Sequence, residues 1–205
     1  GVEALDLQQL HVWTDEFVGR GDWLEAVENL KRQGKIRFFG VSLGEHTPEN
    51  GLELLKTGVV DTVQVIYNIF DQSPETRLFP FCQEHRIGVI ARVPFDEGGL
   101  TGKVTPETVF PPGDFREHYF HGNRKREVFE RVQRIAEDLN VSLEQMPEIA
   151  LRFTLSHPAV STVIPGMRSV RHVEANVAIG DGRGLPPEQR RALRAHSWAR
   201  NFYQS

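Results

Sequence analysis

The sequence predicts an α/β protein built on a parallel sheet. Two observations carry this. Short, nearly continuous apolar runs recur along the chain, and amphipathic helical stretches fall between them. Strands of a parallel sheet read as apolar runs because helices cover its faces. No composition shift marks a linker and no fixed-period repeat divides the chain. A single domain over residues 1–205 is therefore expected.

The first run is 5–13, Leu-Asp-Leu-Gln-Gln-Leu-His-Val-Trp. A helix is predicted over Trp23 to Arg32, with Leu24, Val27 and Leu30 on one face and Gly34 just past its end. The second run is 36–42. Thr47 followed by Pro48 then reads as a helix start, ending near Gly58. The third run is 60–67. Ser73-Pro74-Glu75 opens the next helix, in which Pro80 predicts a kink. The fourth run is 87–93. From Asp96 to Gly122 the rhythm breaks in a segment rich in glycine and proline, read as a loop that is functional or mobile. Helices are predicted over Arg124–Leu139 and from Ser142, which forms a capping box with Gln145. The fifth run, 160–165, precedes a helix over Val170–Ala178 and a last one after Pro186-Pro187.

Of the 205 residues, 39% are hydrophobic and 25% charged, which fits a globular chain with a real core and excludes a disordered or collagen-like one. The net charge of −4 argues against a nucleic-acid partner. No apolar run is long enough to predict a membrane span. The lone Cys82 has no disulfide partner, so a reducing, cytoplasmic setting is expected. The first six residues have no leader-like pattern. A strand starting at residue 5 reads as the middle of a fold.

Ligands of parallel α/β folds bind at the carboxyl ends of the strands. His11, Ser42, Gln64 and Arg92 lie in or near the ends of the first four runs, and Gly166 and Arg168 follow the fifth. Each also has a purely structural reading: a hydrogen-bonded core histidine, turn chemistry at Ser42, a buried backbone partner at Gln64, an ion pair at Arg92, a solvated Arg168. Two loops suit an anion. Gly98-Gly99-Leu100-Thr101-Gly102-Lys103 combines glycines with a cation, although it lacks P-loop spacing. Pro165-Gly166-Met167-Arg168-Ser169 leads into a helix N-terminus. His118, Tyr119 and His121 have no third ligand at metal spacing, so no metal is expected.

Together the segments 5–11, 34–42, 64–68, 98–103 and 163–168 resemble the aldo-keto reductases, in family order over nearly the whole chain. The tail from Trp198 to Tyr203 resembles tails of one bacterial branch. The resemblance implies a (β/α)8 TIM barrel and NADP(H)-dependent reduction of a small-molecule carbonyl substrate. It implies that His11 is the histidine of a catalytic Asp, Tyr, Lys and His set. It further implies that Ser42 and Gln64 meet the nicotinamide carboxamide and that Arg92 stands against the ring. Phe95, Gly98, Leu100, Gly102 and Lys103 would form the pyrophosphate loop. Arg168 would meet the 2′-phosphate and Asn176 the adenine. Leu43, His172 and Ala175 depart from the usual residues at their positions.

By the same resemblance the Asp, Tyr and Lys belong to earlier strands. The chain is then family strands four to eight, about five βα units of a barrel incomplete at its N-terminus. Its sheet would have open edges, to be covered by the rest of a longer protein, a homo-oligomer or a second chain. Two other functions stay in view: a non-catalytic NADP(H)-binding module, and an unrelated barrel enzyme such as a hydrolase. Trp13 and residues 115–120 are candidates for the substrate mouth.

Overall fold

The computed structural model describes residues 1–13 and 15–204. Five strands form one parallel sheet in chain order: β1 (Leu5–Trp13), β2 (Ile36–Leu43), β3 (Thr62–Ile66), β4 (Gly88–Arg92) and β5 (Val160–Ile164). Between them run α1 (Trp23–Arg32), α2 (Leu52–Leu55) and α3 (Leu78–His85). The stretch from β4 to β5 holds α4 (Phe115–Tyr119), α5 (Arg124–Leu139) and α6 (Met146–Leu155), and α7 (Val170–Ala178) and α8 (Pro187–Arg194) follow β5.

Register fixes the two faces of the sheet, because paired residues share a face. Val41, Val63 and Val89 align across β2, β3 and β4, and all are fully buried against the helices with Phe39, Leu43, Val65 and Ala91. The other face carries Phe38, Thr62, Gln64, Ile90, Thr162 and Ile164. It is open in part: Phe38 is 47% and Ile164 48% exposed, whereas Ser42 and Ile66 on the same face are buried. The expected edges are also open, with β1 at one margin and β5 at the other.

Most predicted helices form over the residues expected. α1 ends as expected, with Gly34 at φ +68. The Gln145 side chain accepts the Ser142 N–H at 3.0 Å, as a capping box requires. Three expectations need correction. Thr47 stands before Pro48 without a side-chain capping bond, and a 3-10 turn at Pro48–Gly51 precedes α2. Pro80 does not kink a helix. It lies in the first turn of α3, where its missing N–H is not needed, and the chain breaks earlier, between the 3-10 turn Ser73–Glu75 and Leu78. The segment from Asp96 to Gly122 is not one loop: it contains a 3-10 stretch at Asp96–Thr101 and α4. No described helix is long and apolar enough to cross a membrane.

Candidate functional site

The carboxyl ends of the strands form a rim where the backbone is strained. Val12, near the end of β1, and His46, Val93, Asp96 and Glu97, which follow β2 and β4, all have positive φ, between 50° and 56°. β-Branched residues there are genuine outliers, and such strain clusters at functional sites. At β1 the pairing slips. Leu10 faces Val41 and Trp13 faces Leu43, so His11 and Val12 together oppose Ser42. This bulge brings the exposed His11 beside the rim and turns Trp13 into the core. Trp13 is 3% exposed and packs edge-on against Phe17 and Trp23, at 5.6 and 5.0 Å. It sits in the core, and its Nε1 has no hydrogen-bond partner.

Ser42 and Gln64 are directly paired across β2 and β3. Ser42 is 3% exposed, and its Oγ has no hydrogen-bond partner. A buried hydroxyl without a partner is costly and asks for a ligand or water. Arg92 ends β4, donating from Nη2 to the Leu43 carbonyl at 3.0 Å, with Glu45 at 3.9 Å. Its buried Nε has no partner. Asn68 fixes the backbone beneath: its side chain donates to the Val93 carbonyl at 2.9 Å and accepts from the Phe70 and Asp71 amides. Asp71 accepts from Ser73 and holds His46 Nδ1 at 2.6 Å. Burial pushes the Asp71 carboxyl up, but the hydrogen bonds from His46 and Ser73 outweigh it and leave its pKa below the usual value.

The glycine-rich loop begins where Phe95 presents its carbonyl to the Gly98 and Leu100 amides, each at 3.0 Å. A Cβ on Gly99 would meet Val128 Cγ1 at 2.8 Å and Asp96 Oδ2 at 3.0 Å, so only glycine fits without a shift. Leu100 is fully buried in the core, and Lys103 is exposed. The 114–120 segment lies over this loop. Asp114 caps α4 and takes a forked contact from Arg116, which holds its pKa at about 2, and Arg168 adds to that field. The charge of Glu97 acts on Arg116 in turn. Arg168 is exposed ahead of α7, and Asn176 donates to the Gly166 carbonyl at 3.5 Å.

The rim thus runs through His11, Ser42, Gln64, Arg92, the 95–103 loop and Arg168. The mouth candidates divide: Phe115 is half exposed, whereas Tyr119 and Phe120 are core residues. His121 Nδ1 lies 2.6 Å from the His118 carbonyl, and no metal-ligating group of three is found among the described residues. Two features escaped sequence reasoning. One is the His46–Asp71 pair, which borders a cavity of about 430 Å³ beside the rim. The other is the ion pair of Arg200 with Asp96, joining partners 104 residues apart. Only the aromatic and basic character of the tail hinted at the second.

These features define a parallel β/α protein with polar side chains gathered toward one rim of its sheet. Residues 1–197 match the aldo/keto reductase family, and the chain belongs to that family. Its membership implies the (β/α)8 barrel architecture, of which this chain forms five parallel strands. The chain is 32% identical over 198 residues to an uncharacterised oxidoreductase of Bacillus subtilis, YqkF, covering 95% of this chain and 61% of that protein. The NADH-specific methylglyoxal reductase of Escherichia coli is 26% identical, over 87% of this chain and 55% of that protein. Among solved structures, the aldo-keto reductase AKR11C1 from Bacillus halodurans in its holo form superposes with a TM-score of 0.72 at 29% identity, covering 98% of this chain and 62% of that one. The chain therefore spans about three fifths of the length of these relatives.

Proposed function

We propose that the chain forms the dinucleotide-binding rim, and one catalytic group, of an NADPH-dependent reductase that converts aldehydes or ketones to alcohols. The observation that carries this reading is the buried, partnerless Ser42 hydroxyl paired with Gln64 on the rim. A carboxamide offers both a donor and an acceptor, which suits a hydroxyl beside an amide side chain. The partnerless Arg92 Nε also fits such a ligand. When bound, the reduced nicotinamide supplies the hydride.

The residues of this chain then take separate tasks. His11 donates a hydrogen bond to the carbonyl oxygen, positioning it and stabilising charge that develops there. Ser42 and Gln64 hold the carboxamide, and Arg92 borders the ring. Backbone from Phe95, Gly98, Leu100 and Gly102, together with Lys103, surrounds the pyrophosphate. Gly166 and Arg168 meet the adenosine phosphate end, and Asn176 the adenine. Arg168 favours NADPH over NADH.

The chain corresponds in this reading to family strands four to eight and folds as one domain over 1–205. The partly open sheet face and the margins support it, as does the partial coverage of the relatives. The family's Asp, Tyr and Lys then come from preceding sequence or from another chain, and acid catalysis worth roughly 100- to 10,000-fold depends on them. A cytoplasmic setting is consistent with Cys82, a lone buried thiol whose pKa burial pushes up to about 12.

A fluorescence titration with NADPH followed by addition of a nitrobenzaldehyde tests the reading. Binding with turnover supports the reductase. Binding without turnover, in protein supplied with the complete catalytic set, identifies a non-catalytic module instead. Absence of binding refutes both.

A further inference from the structure

The C-terminal segment lies on the glycine-rich loop. The Trp198 amide donates to the Phe70 carbonyl at 2.8 Å, and the Trp198 ring packs edge-on against Phe70 and Phe202. The Arg200 guanidinium sits against Phe70, Trp198 and Phe202, 4.6 to 5.2 Å from their ring centres. There it pairs with Asp96, and both side chains are buried. Tyr119 donates to the same carboxylate at 3.1 Å. Three residues beyond Arg200, the Tyr203 hydroxyl donates to Glu97 at 2.5 Å.

The two carboxylates belong to consecutive residues with left-handed backbone, Asp96 at φ 51 and Glu97 at φ 56, followed by Gly98 at φ 103. Side chains with a Cβ resist this conformation, and two in succession persist only where the surroundings over-determine them. Here the surroundings are Arg200, Tyr119 and Tyr203. The ion pair is not optimised for stability. Arg200 Nε and Nη1 and Asp96 Oδ2 all lack partners, and buried pairs of this kind are weak stabilisers.

We propose that Arg200 and Tyr203 are positioning residues for the dinucleotide: through Asp96 and Glu97 they clamp the 96–102 backbone in its ligand-binding shape. This rests on the reading of the rim given above. The tail itself need not touch the ligand. It sets the loop before binding, so binding does not bear the cost of ordering it.

The test uses full-length protein and the mild variant Tyr203→Phe, which keeps the ring and removes one hydrogen bond. Loss of one bond to a charged acceptor is expected to raise the Kd and KM for NADPH about 10-fold. The kcat at saturating NADPH is expected to stay unchanged. Amide hydrogen exchange is expected to quicken across 96–102 and to stay constant in α5. Glu97→Gln combined with Tyr203→Phe should then weaken binding less than the sum of the two single effects. Wild-type protein that binds no dinucleotide overturns the reading of the rim and this inference with it. Wild-type protein that binds NADPH, with Tyr203→Phe binding equally tightly, overturns this inference alone.

Discussion

Arg168 and Asp71 illustrate how single side chains on this rim can be tested. Arg168 is exposed, with Asp114 in its field, so truncation should not disturb the core. Arg168→Ala is expected to weaken NADPH about 10-fold, as for one charge-assisted contact, and NADH much less. Equal losses in parallel titrations would refute a 2′-phosphate role. Asp71 makes a statement about pH. Its pKa is lowered from the ordinary 3.8, so its stabilising contribution is complete above that value and fades as pH falls through the lower folded value. In urea melts from about pH 5 down to about pH 3, wild-type protein is expected to lose more stability than Asp71→Asn. Parallel losses would show that Asp71 is not the group responsible.

At the level of elements, the helices that depend on local signals were legible in the sequence. α5 spans the residues its apolar spacing predicts, and Asn140 ends it in the left-handed conformation. The stretch from Asp96 to Gly122 was not legible, because its order comes from residues far away in the chain. Glycines and prolines mark it as a loop, whereas the contact that fixes it bridges Asp96 and Arg200. Ser42 and Arg92 lie near the ends of β2 and β4 and Gln64 lies mid-strand in β3, as their runs indicate, but their environments are not legible: nothing local distinguishes a partnerless Ser42 from turn chemistry. The packing of this loop on α5 gives its own prediction. Gly99→Ala puts a methyl group 2.8 Å from Val128 Cγ1, an overpacking expected to cost roughly 1–3 kcal/mol. Chemical denaturation measures it, and an unchanged midpoint would show that the loop can back away from α5.

The whole sheet presents one covered face, one partly open face and two margins. Unpaired strand edges and exposed apolar residues such as Phe38 and Ile164 favour association. The isolated 205-residue chain is expected to bind an apolar dye and to self-associate with concentration. A dye-free monomer with a sharp cooperative melt would mean that the open face is satisfied in some other way.

The bulge in β1 has a further consequence. Gln9 and Trp13 stand four residues apart and would share a face on a regular strand, yet they pair with Gly40 and Leu43, on opposite faces. The extra residue is a phase shift within the strand. Excising Val12 would leave Leu10, His11 and Trp13 against Val41, Ser42 and Leu43 in unbroken succession. It would also remove a β-branched residue held at φ 55. β1 is thus one residue longer than its pairing needs, and a shortened strand would measure what that surplus residue contributes to the position of His11.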